Sequence, residues 1–162
     1  MTVVVSDTSV LSYLALIGRL EILETLFTSV IIPEAVFNEC LDPAAPEALR
    51  HALTPLPPPF LIVAKVEGMI PQTAVLDPGE AAAITLAWQH RSDSLLLLDE
   101  KRGRALALSL GLRMRGILGI VVESHRRGLL DFDHTVSRLR QLGFRIAEPL
   151  VATARVELRL EA

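Results

Sequence analysis

The chain has 162 residues, about half of them apolar, and a formal net charge of −3. This length fits one domain that buries roughly two thirds of its unfolded surface and therefore needs no stabilising disulfide. No run reaches the ~18 apolar residues of a membrane span, and the slightly acidic balance argues against a strongly basic nucleic-acid binder of the histone type.

The first element is a strand that ends at a carboxylate. Val3 to Val5 are β-branched and apolar without interruption, which predicts a strand buried on both faces of a parallel sheet, and Asp7 follows it. The segment from Val10 to Leu20 predicts a mostly buried helix. Asp7 is therefore open to two interpretations: an N-cap of that helix, or an acid displayed at the carboxyl end of a strand, where ligand sites form in α/β sheets.

The next segments alternate between helices and strands. A helix is predicted from Glu21 to Phe27, a strand at Val30 to Ile32, a helix from Glu34 to Leu41, a short helix from Glu47 to Leu53, and a strand from Leu61 to Val66. The connection around the short helix is rich in proline, which excludes a continuous helix there. In the Glu34 to Leu41 helix, Val36 and Cys40 share one face and Glu39 lies beside it.

Cys40 is the single cysteine of the chain. It excludes an internal disulfide and suits a reducing compartment, and we interpret it as a small hydrophobic residue on a helix. The N terminus starts directly with the core strand, which leaves no room for a secretory signal. We therefore expect a cytoplasmic protein that has no membrane segment.

Acids also stand at the start of a later helix and at the end of a second strand. Asp77 to Glu80 open an alanine-rich helix, and Glu80 lies in the first turn, where its charge favours the helix dipole. The leucines at 95–98 predict a buried strand that ends at Asp99 and Glu100, before a helix from Arg102 to Leu110. If this strand is parallel to the first one, both acid clusters lie at one edge of the sheet.

The remaining elements complete the prediction of the fold. A short strand at Arg113 to Arg115 precedes three helices, at Ile117 to Arg127, Thr135 to Leu142 and Glu148 to Leu160. Strands that alternate with helices predict an α/β protein, a three-layer α/β/α sandwich with a central, mainly parallel sheet. We expect one domain over residues 1–162, in which 143–162 form a C-terminal extension helix.

The acids come from separate segments, namely Asp7, Glu39, Glu80 and the pair Asp99 and Glu100. No set of histidines or cysteines with ligand spacing accompanies them, which disfavours zinc. Oxygen ligands suit Mg²⁺ or Mn²⁺, and magnesium sites combine one or two carboxylates with water and a substrate phosphate. This is the composition of a nuclease site, in which metal ions activate water for attack on a phosphodiester.

Four motifs in this order resemble the PIN-domain family. The chain is similar to a prokaryotic PIN subgroup of predicted nucleic-acid-binding proteins that is related to the VapC-like toxins, from Val3 to about Phe144. The motifs are VVSDTS at the N terminus, VIIPEAVFNE at 30–39, DPGEA at 77–81 and LLDEKRGR at 97–104, with GILG at 116–119 and the glycine and phenylalanine at 143–144 also fitting.

The resemblance implies a three-layer fold and a metal-dependent ribonuclease, the toxin of a toxin–antitoxin pair and a homodimer. By position, Asp7, Glu39, Glu80 and the pair Asp99 and Glu100 match the acids of the family. The same match implies that Mg²⁺ or Mn²⁺ is bound by Asp7, Glu80, Asp99 and Glu100. Ser9 matches the small polar residue beside the first acid. Glu100 aligns best with the last acid of the family, whereas Asp99 has the better shape for a ligand.

Three alternatives follow from the same residues. Arg102 and Arg104 could contact RNA phosphates or belong to a solvated helix face. The chain could be a catalytically weak PIN-like module that binds RNA or a protein partner, because its net charge is acidic and it carries Asp99 and Glu100 where two aspartates are usual. It could also be a phosphatase-like hydrolase of small phosphate esters.

Overall fold

The computed structural model describes residues 1–161, and Ala162 lies outside them. Its strands are β1 (Val3–Ser6), β2 (Val30–Pro33), β3 (Leu61–Ala64), β4 (Ser94–Leu97) and β5 (Met114–Arg115). They form one sheet in the order β3-β2-β1-β4-β5, and every neighbouring pair is parallel. The predicted parallel α/β sheet is therefore confirmed.

Helices connect the strands, as the alternating pattern predicts. Those within residues 1–161 are α1 (Thr8–Leu16), α2 (Ile22–Phe27), α3 (Glu34–Leu41), α4 (Glu47–Leu53), α5 (Pro78–Gln89), α6 (Lys101–Ser109), α7 (Ile117–Arg126), α8 (Phe132–Gln141) and α9 (Glu148–Glu157). A 3₁₀ turn at Pro71–Val75, which the sequence did not predict, precedes α5. No helix within the described part of the chain is long and apolar enough to cross a membrane.

Three helices differ from the prediction by three residues or more at one end, and the other helix bounds agree to within two residues. Helix α1 ends at Leu16 and not at Leu20, because Gly18 takes up the left-handed conformation (φ +70°) that commonly ends helices. Helix α8 begins at Phe132, three residues before its predicted start, because the side chain of Asp131 caps it. The helix predicted within 143–162 covers only Glu148–Glu157.

The sheet separates two hydrophobic cores, because successive side chains of a strand point to opposite faces. Val4, Val30 and Leu97 belong to the core that α1, α3, α4, α7 and α8 cover, whereas Val5 and Leu96 belong to the core beneath α5 and α6. The molecule is thus a three-layer α/β/α sandwich.

The connections reverse direction between β1 and β4. From β1 the chain proceeds through β2 to β3 on one side, and it then returns to form β4 and β5 on the other side. The two central strands are aligned in register, with Ser6 opposite Leu97. Ligands of open α/β sheets bind at such a reversal point, beyond the carboxyl ends of the strands, and this is where the segments with Asp7 and Asp99 begin.

Candidate active site

Asp7 is the most deeply buried acid of the site and has both roles that its position allows. Its Oδ1 atom accepts a hydrogen bond from the N–H of Val10 at 3.2 Å, so the side chain caps α1. Its Oδ2 atom accepts a hydrogen bond from the Ser9 hydroxyl at 2.6 Å. The residue is 1% exposed, yet it lines an open cleft. Burial is the main cause that raises the pKa of Asp7 to about 7.

Glu80 extends from the first turn of α5 to the same cleft. Its Oε1 atom is buried and has no hydrogen-bond partner within the described residues. Gly103 of α6 provides the space for this atom, because a Cβ at that position would collide with it. Burial and then repulsion from Glu100 raise the pKa of Glu80 to about 7. Because this oxygen is buried, the charge of an ionised Glu80 is uncompensated until a proton or a cation binds to the carboxylate.

Glu39 joins three segments of the chain. Its Oε2 atom accepts a hydrogen bond from the Thr8 hydroxyl at 2.6 Å, and its Oε1 atom accepts one from the N–H of Gly79 at 2.8 Å. Both oxygens are therefore engaged by protein groups at the starts of α1 and α5. These are the segments that carry Asp7 and Glu80, so Glu39 holds the two acids relative to each other.

Asp99 lies two residues beyond the end of β4, as the prediction of a shared sheet edge requires. Its Oδ2 atom accepts a hydrogen bond from the N–H of Ile117 at 2.7 Å. Gly116 leaves room for its other oxygen, since a Cβ there would collide with it. Burial raises the pKa of Asp99 above its usual value, and the charge of Asp99 in turn contributes to the raised pKa of Asp7.

The cleft at the sheet edge has a volume of about 380 Å³, and carboxylates dominate its polar lining. The acids that line it are Asp7, Glu39, Asp77, Glu80 and Glu100. Among the described residues, no lysine, arginine or histidine lines it. The structure thus brings four of the five predicted acids into one cleft, whereas Asp99 lines the neighbouring cleft together with Arg104. Ser9 lines the acidic cleft, as its hydrogen bond to Asp7 requires.

The donor set of this acidic cleft fits a cation with an open coordination sphere. Within residues 1–161, no three carboxylate, imidazole or thiol groups are arranged so that they enclose a metal ion by themselves. Magnesium characteristically uses only one or two carboxylates and completes its shell with water and substrate phosphate. The unpartnered oxygen of Glu80 and the repulsion between the acids match that requirement, whereas zinc would need a soft, closed ligand set.

The two arginines that the sequence singled out have different surroundings. Arg102 is exposed, lies beside Glu80 and Glu100 at the margin of the acidic cleft, and acts to lower the pKa of Glu80. Arg104 is half-buried and donates a hydrogen bond to the carbonyl of Leu98 at 2.8 Å. Its charge acts to lower the pKa of Asp99.

Sequence reasoning missed several residues of the site. Asp77 precedes α5 in the N-cap position but makes no capping hydrogen bond with its side chain, and it lines the cleft instead. Gly79 and Gly103 stand inside helices, where glycine is unfavourable, and each leaves room for a carboxylate. The signal in the sequence was a glycine in the first turn of each of two helices, near an acid, because such a glycine can leave room for a carboxylate.

The comparisons with known proteins agree with this geometry. Neither the search of curated proteins nor the search of solved structures gave a significant match. A family model described as a PIN domain matches residues 3–159, which is nearly the whole chain and includes every acid of the site. The chain therefore belongs to the PIN-domain family.

Proposed function

We propose that the protein is a metal-dependent endoribonuclease that hydrolyses RNA phosphodiester bonds with Mg²⁺ or Mn²⁺. PIN domains have a nuclease-type fold, are generally hydrolases, and typically use divalent metal ions. The observation that carries the proposal is the cleft in which five carboxylates meet without a basic side chain among its lining residues. Such a cleft repels the phosphates of RNA unless a cation lies between them.

The residues of the cleft have distinct tasks in this proposal. Of Asp7, Glu80, Asp99 and Glu100, one or two would hold the cation directly and the others through water, and Glu39 positions Asp7 and Glu80 through Thr8 and Gly79. When bound, the cation offsets the charge of the scissile phosphate and makes water more acidic. Ser9 keeps one oxygen of Asp7 oriented by its short hydrogen bond.

The test is cleavage of single-stranded RNA in Mn²⁺ or Mg²⁺ by the parent protein and by an Asp7→Asn variant. We expect cleavage that EDTA abolishes and that the variant loses on the order of a hundredfold or more. Asp131→Asn is a matched control, because Asp131 caps α8 in the same manner but is exposed to solvent and lines neither cleft. Equal cleavage by the parent and by Asp7→Asn would contradict the proposal.

A second candidate is a catalytically weak PIN-like module that binds RNA or protein. The position of Asp99 favours it, because Asp99 lines the neighbouring cleft beside Arg104 and one of its oxygens is taken by the N–H of Ile117. Titration calorimetry separates the two candidates. Binding of Mn²⁺ at millimolar concentration supports the enzyme, and its absence supports the module. A generic phosphate ester tests the third possibility, a small-molecule phosphatase.

We also propose the toxin role, an antitoxin partner and a homodimer on the likeness to the toxin-related subgroup, and a single domain over residues 1–162 on the length of the chain. Growth arrest on expression, which Asp7→Asn should relieve, tests the toxin role. Relief of that arrest by the product of a neighbouring short reading frame would identify an antitoxin. Sedimentation of the purified protein tests the dimer, and a single cooperative unfolding transition tests the single domain.

A further inference from the structure

A second cleft adjoins the acidic one and has the opposite charge. It has a volume of about 400 Å³, and three arginines line it, namely Arg104, Arg115 and Arg145. Asp99 lines this cleft as well, and its charge contributes to the raised pKa of Asp7 in the acidic cleft. An aromatic pair also joins the two clefts: Tyr13 lines the first, Phe144 lines the second, and their ring centroids are 4.7 Å apart. A ligand in the second cleft would therefore lie next to the acids.

The three arginines have no carboxylate partner within 4 Å among residues 1–161, although most other arginines of the chain form ion pairs. Arg115 is half-buried at the end of β5. Its side chain crosses Gly119 of α7, where a Cβ would lie only 2.8 Å from the Arg115 Cγ atom. A glycine inside a helix is unfavourable, and at this position it makes room for the side chain of Arg115, which lines the cleft and whose guanidinium carbon lies 6.0 Å from the centroid of the Phe27 ring. The cleft is thus built to present positive charge.

The remaining lining of the cleft is apolar and partly exposed. It includes the ring of Phe144 and the side chains of Leu118, Ile146 and Leu150, the last of which is 58% exposed. Arginines suit phosphate because of their forked geometry, and an aromatic ring with apolar neighbours suits a base. Phosphate and base are the two parts of a nucleotide.

We infer that this second cleft binds one nucleotide of single-stranded RNA beside the bond to be cleaved, with its phosphate on Arg115 and Arg145 and its base against Phe144. The inference rests on the proposed ribonuclease function and adds a substrate subsite to it. A base in a duplex is stacked and paired, so its face cannot reach Phe144. The cleft therefore selects unpaired RNA.

The arginine contacts are tested by fluorescence anisotropy with a short labelled RNA in EDTA, where no metal-dependent cleavage occurs. The parent should bind single-stranded RNA more tightly than a duplex of the same sequence. An Arg115→Gln, Arg145→Gln double variant keeps a polar, unbranched side chain at each position but removes two charges. It should bind more weakly, and the slope of log K against log salt should become shallower by roughly 0.7, because the two arginines share one phosphate of the single strand.

Arg91→Gln with Arg138→Gln is the matched control, because both arginines are exposed, neither lines the two clefts and neither forms an ion pair within the described residues. This double variant changes the net charge equally and should bind like the parent. Phe144→Leu separates stacking from charge: it should weaken binding about tenfold and leave the salt slope unchanged. Thermal unfolding of each variant verifies that it is folded.

Three results would overturn the inference: equal loss of binding in the two double variants, equal affinity of the parent for duplex and single strand, or arginine-dependent binding of an acidic peptide as tight as that of RNA. A parent that binds no RNA would overturn it as well. Because binding is measured without metal, a protein that binds RNA through this cleft but cleaves none would contradict only the proposed catalysis. A protein that cleaves RNA but binds equally well without both arginines would contradict only the subsite.

Discussion

The carboxylate of Glu39 accepts a hydrogen bond from the main-chain N–H of Gly79 at 2.8 Å, and this contact ties α3 to the first turn of α5. The same carboxylate accepts the hydroxyl hydrogen bond of Thr8 at the start of α1. Glu39 thus connects the segments that carry Asp7 and Glu80. The distance between these two acids therefore depends on a side chain whose two carboxylate oxygens both accept hydrogen bonds from protein groups.

We expect Gly79→Ala to destabilise the protein by about 1.5–3 kcal/mol, the usual effect of losing a hydrogen bond to a charged group. A Cβ at this position would lie 2.6 Å from the Oε1 atom of Glu39, so the carboxylate must move. RNA cleavage should fall as well, because Glu80 follows directly in the chain. Urea denaturation measures the free energy of unfolding.

A double-mutant cycle with Glu39→Ala is the control for this effect. In that background the carboxylate is absent, and Gly79→Ala should then cost little, because alanine is otherwise the better helix residue. If Gly79→Ala destabilises the protein equally in both backgrounds, the contact with Glu39 is not the reason for the glycine.

The second prediction concerns the dependence of stability on pH. The pKa of Asp7 is raised from 3.8 to about 7 in the folded protein. Below pH 4 the acid is protonated in both the folded and the unfolded state and has no effect. Between pH 4 and 7 only the unfolded state releases the proton, so stability falls as pH rises, by roughly 4 kcal/mol at most. The loss is complete above pH 7.

Asp7→Asn should remove this fall, so the variant should be more stable than the parent at pH 8 in EDTA and nearly equal to it at pH 4. Urea denaturation at several pH values measures the difference. The same change at Asp131, which caps α8 in an exposed position, controls for the loss of a capping carboxylate. An Asp7→Asn variant that is less stable than the parent at pH 8 would contradict this prediction, because it would show that neighbouring groups compensate the buried charge of Asp7.

The third prediction is that Mn²⁺ raises the melting temperature of the parent and that the effect increases from pH 6 to pH 8. A cation binds the ionised acids, and the pKa values of Asp7 and Glu80 are both about 7, so protons compete with it below that pH. Differential scanning fluorimetry measures the shift, which linkage relates to metal affinity. A shift that is equally large in Glu80→Gln would exclude Glu80 as a ligand.

The fourth prediction separates Asp99 from Glu100, which are adjacent in the chain but differ in their neighbours. Asp99 contributes to the raised pKa of Asp7, and Glu100 to that of Glu80. Asp99→Asn should therefore lower the pKa of Asp7, whereas Glu100→Gln should lower that of Glu80. Carboxyl carbon chemical shifts, followed by NMR as a function of pH, measure both values. If each variant changed the pKa of Asp7 and the pKa of Glu80 equally, the pairing of Asp99 with Asp7 and of Glu100 with Glu80 would be wrong.

Much of the fold follows from local patterns. Helices α3 and α4 begin and end as predicted, because proline precedes each helix and the apolar spacing is clear. Bounds that depend on a single cap, such as the start of α8 at Asp131 and the end of α1 before Gly18, were less well predicted. The turn at Pro71–Val75 has no periodic signal in so short a segment.

The sequence by itself determined that acids follow two buried strands, since each of two apolar runs is followed by an acid, Asp7 or Asp99. Only the tertiary structure decided which oxygens are taken, because hydrogen bonds such as those from Gly79 to Glu39 and from Ile117 to Asp99 join segments distant in the chain. The separation of an acidic cleft from an arginine cleft was likewise decided by packing. Charge at a position is a local property, whereas the neighbours that compensate it are set by the fold.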